Sequence, residues 1–263
     1  IEALLENLLH WDRGMIPPIR ETLHRFIAYT GPPDTLLDIG AHWGLLSIVA
    51  AKLGARRVIA VEGDPKNAAI LRDNIAYMKL EDRIQVIEAA VGPKGGERLP
   101  WGEVGNSGQR GSLFLPNEDG MTVPTVAFTE LLERFDRIDY CKIDVEGAEH
   151  TFMVDDERTM AALARIGWID LEYHGCQGFP YVAGVMPKEH EARTQAVMEK
   201  IGVPMKDWVS AGKVCVGSSC TTPRATAGAG RAGGMACATR SWTSCSPTTT
   251  SGGSPSTSPT ATG

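Results

Sequence analysis

The chain has 263 residues, 43% of them hydrophobic, which supports one buried core and sits near the upper size of a single domain. A net charge of -6 argues against gripping nucleic acid through its phosphates, a task that needs clustered Lys and Arg. No apolar run approaches the roughly 20 residues of a membrane span, and no charged-then-apolar leader stands at the front. The expectation is a cytoplasmic protein that works on small molecules.

The first thirty residues read as two short amphipathic helices, one over Ile1 to Trp11 and one after Pro17 and Pro18, forming a helical cap over residues 1–34. From Thr35 short apolar runs alternate with helical segments. Thr35 to Ile39, Arg57 to Val61 and Ile84 to Ile87 read as strands, with helices over Gly44 to Leu53 and Pro65 to Tyr77 between them. This βαβαβ rhythm predicts a parallel sheet.

Residues from Gly92 to Gly120 interrupt the rhythm with glycines, prolines and polar residues around one short strand at Ser112 to Leu115. The order resumes with a strand at Thr122 to Val126, a helix from Phe128 to Phe135 and a strand at Ile138 to Ile143. A helix after Glu149, a strand at Ile166 to Tyr173, a helix from Pro187 to Ile201 and a weak strand near Met205 to Val209 complete the domain over residues 35–216. Beyond Gly217 no Val, Ile, Leu, Phe or Tyr occurs, so residues 217–263 cannot bury enough apolar surface to offset their ordering entropy, and disorder is expected there. The cysteines lack the paired spacing of a zinc site: Cys141 falls in an apolar strand, Cys176 in a loop, and Cys215, Cys220, Cys237 and Cys245 in or beside the tail.

The sharpest motif is Leu36-Leu37-Asp38-Ile39-Gly40-Ala41-His42-Trp43-Gly44, an apolar strand running through a glycine turn into a helix. Gly40 and Gly44 let the backbone pass close to a ligand, and the helix start presents free N-H groups through Ala41 and His42. Ligands of open α/β sheets sit at such strand ends. A dinucleotide site needs G-x-G-x-x-G to seat a pyrophosphate, whereas here an acid precedes D-x-G-x-x-x-G spacing. S-adenosylmethionine carries no phosphate, and its charged amino acid end and sulfonium suit Asp38. Glu62, closing the run Val58 to Glu62, is placed to accept from both ribose hydroxyls. Glu88 and Ala89, at the end of the third strand, are placed to meet an adenine, with a solvated strand end as the alternative.

A second motif, Cys141-Lys142-Ile143-Asp144-Val145-Glu146-Gly147-Ala148-Glu149, puts carboxylates at the mouth of the same cleft. Asp144 comes directly off its strand, toward the methyl group. Glu146 and Glu149 flank a helix start, where the macrodipole alone favours acids. His174 follows the strand ending at Tyr173 and brings an imidazole to the acceptor side.

The runs LLDIGAHWG, VEGDPKN with Asn74 one helix further on, and above all KIDVEGAE resemble the FkbM family of S-adenosylmethionine-dependent methyltransferases, over about Thr35 to His174. The resemblance implies a Rossmann-like class I methyltransferase sheet of seven strands with helices on both faces and an antiparallel last strand. It also implies methyl transfer to a hydroxyl of a sugar, polyketide or other natural product. By the same resemblance Asp38, Gly40 and Gly44 bound the methionine end of the cofactor and Glu62 the ribose. Three departures stand out: His42 and Trp43 replace a commoner Asn and small residue, and Gly63-Asp64-Pro65 replaces a Pro-Asn-Pro type of turn. The family's final strands fall where the low-complexity tail begins, so Lys213 to Val216 reads as a remnant and the last strand as missing, which would leave an unpaired edge.

Asp144 and His174 are the expected catalytic pair, one of them acting as base on the acceptor hydroxyl. No metal is demanded by the spacing and none is expected; the alternative is a divalent cation on Asp144, Glu172 and His174. Trp101 and Arg110 lie in the long loop, read as solvated. His10, His24 and His190 read as surface residues of helices. A catalytically silent S-adenosylmethionine-binding protein is one alternative function, and a nicotinamide-dependent oxidoreductase another.

Overall fold

The computed structural model of the chain describes residues 27–28, 30–103, 111–113, 117, 120–174, 188–202, 209–211 and 214–220. Most of the expected N-terminal cap, the tail beyond residue 220, and Arg110, Cys176, His10 and His24 lie outside the described residues.

The alternation read from the sequence is realised as β1 (Thr35–Ile39), α1 (Leu45–Lys52), β2 (Arg57–Glu62), α2 (Pro65–Met78) and β3 (Ile84–Glu88). The start of α2 follows from local chemistry. Asp64 is its N-cap, accepting the amides of Lys66 at 2.7 Å and Asn67 at 3.1 Å, and Pro65 stands in the first turn where no amide is missed. The long interruption is more ordered than its composition suggests. It holds β4 (Ala90–Gly92), β5 (Arg98–Pro100), β6 (Gly102–Glu103) and β7 (Gly111–Ser112) before β8 (Thr122–Ala127). β4 and β5 flank β8 in a small sheet, and β6 pairs with β7, which shares only Ser112 with the single strand expected at Ser112 to Leu115; residues 114–116 lie outside the described residues.

The chain continues through α3 (Phe128–Glu133), β9 (Ile138–Ile143), α4 (Glu149–Phe152), α5 (Glu157–Leu163), β10 (Ile166–Tyr173) and α6 (Lys188–Lys200) to β11 (Val209–Ala211) and β12 (Val214–Cys220). The main sheet has seven strands in the order β11-β12-β10-β9-β1-β2-β3. β10, β9, β1, β2 and β3 run parallel, while β12 lies antiparallel to β10 and β11 antiparallel to β12. The expectation of a missing final strand is therefore corrected. Backbone ladder bonds need no apolar side chains, and β12 pairs Cys215 with Tyr173 through to Cys220 with Trp168, extending past Gly217 into the low-complexity segment.

Both faces of the sheet are covered, as the near-continuous apolar runs of its parallel strands require. Alternate residues divide between two cores. Leu36, Val58, Ala60 and Tyr140 face Ile48 and Ala51 of α1 and Leu71 and Ile75 of α2. Leu37, Ile39, Val61, Cys141, Ile143 and Leu171 face Phe128, Leu132, Phe152, Leu163 and Val197 from the later helices. Chain order reverses direction at β1, which lies between β2 and β9, and this switch point opens a crevice at the carboxyl ends of the strands. No helix among the described residues is long and apolar enough to cross a membrane.

A chain ending at Gly217 loses the β12 partners of Trp168, Ile169 and Asp170. Hydrogen exchange should then accelerate between Trp168 and Asp170 at the amides directed to β12, and stay slow at Ile59 to Val61, in the centre of the sheet; unchanged protection throughout β10 would count against this pairing.

Candidate functional site

The glycine turn is set by how closely β1 and β9 end beside each other. The Asp144 amide donates to the Ile39 carbonyl at 3.0 Å, and a Cβ placed on Gly40 would lie 1.7 Å from the Asp144 carbonyl oxygen. Gly40 also has φ +78°, a conformation that L side chains resist. Its amide and that of Ala41 both donate to the Val61 carbonyl, at 2.9 and 3.0 Å, tying the turn to β2. Gly44 caps α1 at φ +87°, where a Cβ would strike the Leu71 side chain at 2.3 Å.

Asp38 is buried at the end of this turn. Ser47, on the first turn of α1, donates to its Oδ2 at 2.7 Å, while its Oδ1 has no hydrogen-bond partner among the described residues. Burial pushes the carboxyl up, against the pull of Lys142 and Ser47. Lys142 is the residue that the motif contained but sequence reasoning left without a role. Its Nζ donates to the Gly40 carbonyl at 2.7 Å and lies 3.2 Å from Asp144 Oδ2 and 3.8 Å from Asp38 Oδ1. Burial opposes its charge, yet Asp144 and Asp38 outweigh burial and hold the ammonium above its usual range.

Glu62 is buried at the end of β2. One carboxylate oxygen accepts the His42 amide at 2.7 Å and the other the Asp64 amide at 2.9 Å, which leaves each oxygen lone-pair capacity for a further donor. Burial pushes this carboxyl up to about 7, against the two amide bonds. His42 thus contributes its backbone, at φ +51°, and its ring stacks on Trp43 with centroids 4.6 Å apart. Trp43 is fixed from α2, donating through Nε1 to Asn67 at 2.9 Å and accepting at its carbonyl from Asn74, also at 2.9 Å. Ala89 lies buried next to Glu62, whose carbonyl its amide meets at 2.9 Å. Glu88 is paired with Arg72 at 2.7 Å on the outer side of the sheet end.

Trp101, read as part of a solvated loop, is buried against Ala90 and Val123. Ring atoms of its indole would stand 2.9 Å from a Cβ on Gly63 and 2.5 Å from one on Gly111. The departure from a Pro at position 63 has its reason here, since any side chain following Glu62 would meet this indole.

The last group of residues surrounds His174, which is 1% exposed. Glu149 Oε1 accepts the His174 backbone amide at 2.7 Å and faces its Nδ1 at 3.2 Å, while Oε2 accepts the Gly147 amide at 2.9 Å. Glu149 therefore both holds the turn before its helix and fixes the imidazole. The Nε2 edge then faces Glu146 at 3.5 Å, Asp144 at 3.7 Å and Glu172 at 3.8 Å. Burial works against a charged ring, but Glu149, Asp144 and Glu146 together push His174 up to about 10. Burial and Asp144 push Glu172 up to about 8. Asp144 is held below the usual carboxylate range because Lys142 and His174 outweigh its burial. Asp144 and Glu146 keep 26% and 20% of their side chains exposed, so the cluster opens onto the crevice.

The structure thus brings Asp38, Gly40, Ala41, His42, Gly44, Glu62 and Ala89 together around the ends of β1 and β2, with Asp144 and His174 beside them at the ends of β9 and β10 and Glu88 turned to Arg72. A glycine turn at the switch point and an acid at the end of the next strand are the marks of an open α/β fold with its ligand site at the carboxyl ends of the strands. The crystal structure of WbdD shares this fold, with a TM-score of 0.51 and 12% identity over 78% of this chain and 39% of that one. The methyltransferase FkbM domain matches residues 38–192, and the chain belongs to that family. The solved FkbM methyltransferase of Methylobacillus flagellatus KT is similar over 70% of this chain and 43% of that chain, at 15% identity and a TM-score of 0.43. The ribosomal protein L11 methyltransferase of Chloroflexus aurantiacus is 33% identical over 92 residues, 35% of this chain and 28% of that protein. That of Carboxydothermus hydrogenoformans is 40% identical over 60 residues, 23% of this chain and 20% of that protein. The chain spans less than a third of the length of these curated relatives.

Gly40→Ala should cost about 3 kcal/mol or more in urea unfolding, because the Asp144 backbone must move, whereas Gly96→Ala, at φ +77° with open space around it, should cost only about 1–2 kcal/mol. Equal costs for the two would show that the close approach of β1 and β9 contributes nothing.

Proposed function

We propose that this chain transfers the methyl group of S-adenosylmethionine to a hydroxyl of a small molecule such as a sugar or polyketide. The observation that supports this reading best is the adjacency of two unlike sites in one crevice, a buried acid-and-glycine cradle and a partly open carboxylate and imidazole cluster. The residues present fit the cofactor. The buried Asp38 Oδ1, with no hydrogen-bond partner among the described residues, suits an ammonium, and the remaining lone pairs of Glu62 suit ribose hydroxyls. When bound, S-adenosylmethionine supplies an electrophilic methyl group on a sulfonium.

The chain's own residues then hold the acceptor and handle its proton. Alignment of acceptor oxygen and methyl carbon carries most of the acceleration of an in-line displacement. Of the two expected catalytic residues, Asp144 is the one left ionised and partly exposed, so it accepts the proton of the hydroxyl. His174 keeps its own proton at neutral pH and pins the surrounding carboxylates through Nε2.

Calorimetric titration with S-adenosylmethionine tests the cofactor half of this reading, with Asp38→Ala and Glu62→Ala expected to weaken binding at least tenfold, a loss of about 1.4 kcal/mol each. Absence of binding by the folded chain, or binding of NADH in its place, would overturn it. Asp144→Asn should lower kcat toward a hydroxyl acceptor by about 10²–10⁴-fold. Binding with no turnover over a broad hydroxyl panel would instead favour a silent cofactor-binding protein.

The pH dependence of cofactor affinity follows from Glu62. Its ionised form accepts the ribose hydroxyls, and burial sets its carboxyl at about 7, so protonation on the acid side opposes binding. With that carboxyl at about 7 and one linked proton, the dissociation constant should rise about tenfold from pH 8 to pH 6, and Glu62→Gln should flatten the profile. An equally steep profile in the variant would assign the linkage to another group.

A further inference from the structure

We propose that Asp144, Glu146 and His174 form a binding site for one divalent cation at the acceptor end of the crevice, with Glu172 beside it. On the methyltransferase reading, on which its role but not its existence rests, the ion holds the acceptor oxygen and acidifies its hydroxyl.

The spacing is that of a ligand set. One ligand atom from each of the three residues lies within 4.8 Å of the others, with the imidazole Nε2 3.5 Å from Glu146 and 3.7 Å from Asp144. Oxygen and nitrogen ligands at about 2.0–2.2 Å from one ion stand roughly 3–4 Å apart, so small side-chain movements complete the shell. Asp144 and Glu146 come from the turn between β9 and α4, and His174 from the end of β10. The hydroxyl of Ser112, on β7, donates to the Glu146 carbonyl at 2.9 Å and holds that turn in place.

The second, independent observation is the way the imidazole is held. Glu149, buried and outside the ligand set, engages His174 at both Nδ1 and the backbone amide, which turns Nε2 toward the crevice. A carboxylate on the far ring nitrogen is the usual support of a metal-bound histidine, fixing its tautomer and raising its basicity. The donors are carboxylate and imidazole with no thiolate, a set for a hard or borderline ion such as Mg²⁺ or Mn²⁺. The exposure of Asp144 and Glu146 leaves room for an acceptor oxygen as a further ligand. Coordination lowers the pKa of that hydroxyl. With the ion in place Asp144 is a ligand and the ion displaces the proton that Nε2 otherwise carries; that proton and the one from the coordinated hydroxyl leave to water at the open edge of the cluster, where Asp144 and Glu146 are partly exposed.

Electron paramagnetic resonance of Mn²⁺ titrated into the full chain, without cofactor or acceptor, tests the site directly. One bound ion per chain is expected. Glu146→Gln should weaken it at least about tenfold, and Glu149→Gln about 10- to 100-fold through loss of the histidine's support. Glu133→Gln, which disturbs only an exposed pair with Arg158, should leave Mn²⁺ binding unchanged. Circular dichroism and calorimetry with S-adenosylmethionine on Glu146→Gln establish that the variant folds and keeps its cofactor site. No bound Mn²⁺ in the wild-type chain, or binding that Glu146→Gln leaves intact, overturns the site and makes the cluster an ion-pair hub around a protonated histidine. Mn²⁺ binding without S-adenosylmethionine binding sustains the site and overturns the methyltransferase reading instead.

Discussion

Carboxylates from neighbouring strand ends converge on one crevice, and a single buried ammonium makes that convergence affordable. Lys142 reaches back along β9 to the Gly40 carbonyl and stands between Asp38 and Asp144. Burying one partner of such a group alone costs several kcal/mol, whereas a satisfied set fixes a unique geometry. The glycine turn, the β1 to β9 contact and the two ends of the site therefore hang on one side chain. Asp38 is left with an oxygen that lacks a hydrogen-bond partner among the described residues, while Asp144 remains ionised and open to the crevice.

Much of the fold was legible because its signals are local. Apolar runs of strand length between helical segments gave β1 to β3, β9 and β10 almost to the residue, and the helix read from Pro65 starts there, where the structure adds the Asp64 cap. The strands of the long interruption were harder to see, since β5 to β7 are two or three residues long and their pairing with β8 and with each other depends on distant segments. The edge was misread for a related reason. Composition reports on burial of side chains, and β12 is specified by a backbone ladder against β10 that leaves little mark on hydropathy.

The site divides in the same way. Asp38, Gly40, Gly44 and Glu62 were readable because strand ends and a glycine turn occur within a short stretch. Lys142 and Glu149 act through partners far along the chain, such as Gly40 and His174, and no spacing rule links them. A strand-end histidine is visible in sequence, but the carboxylates that hold its proton, Asp144, Glu146 and Glu149, lie far back in the chain, on the turn after β9 and the start of α4. Trp101 shows the same limit in reverse, a large apolar residue in a polar loop whose partners are the bare backbones of Gly63 and Gly111.

The antiparallel side of the sheet, β11 and β12, is built differently from its centre. β12 reads Val-Cys-Val-Gly-Ser-Ser-Cys, and over Gly217 to Ser219 its pairing with β10 rests on main-chain bonds that any residue except proline can supply. Such a strand carries little information about register, because no strong apolar alternation penalises a slip. Substitutions over Gly217 to Ser219 that keep the main-chain amides should therefore be tolerated there better than in β9, β1 and β2, where buried apolar side chains fix the register.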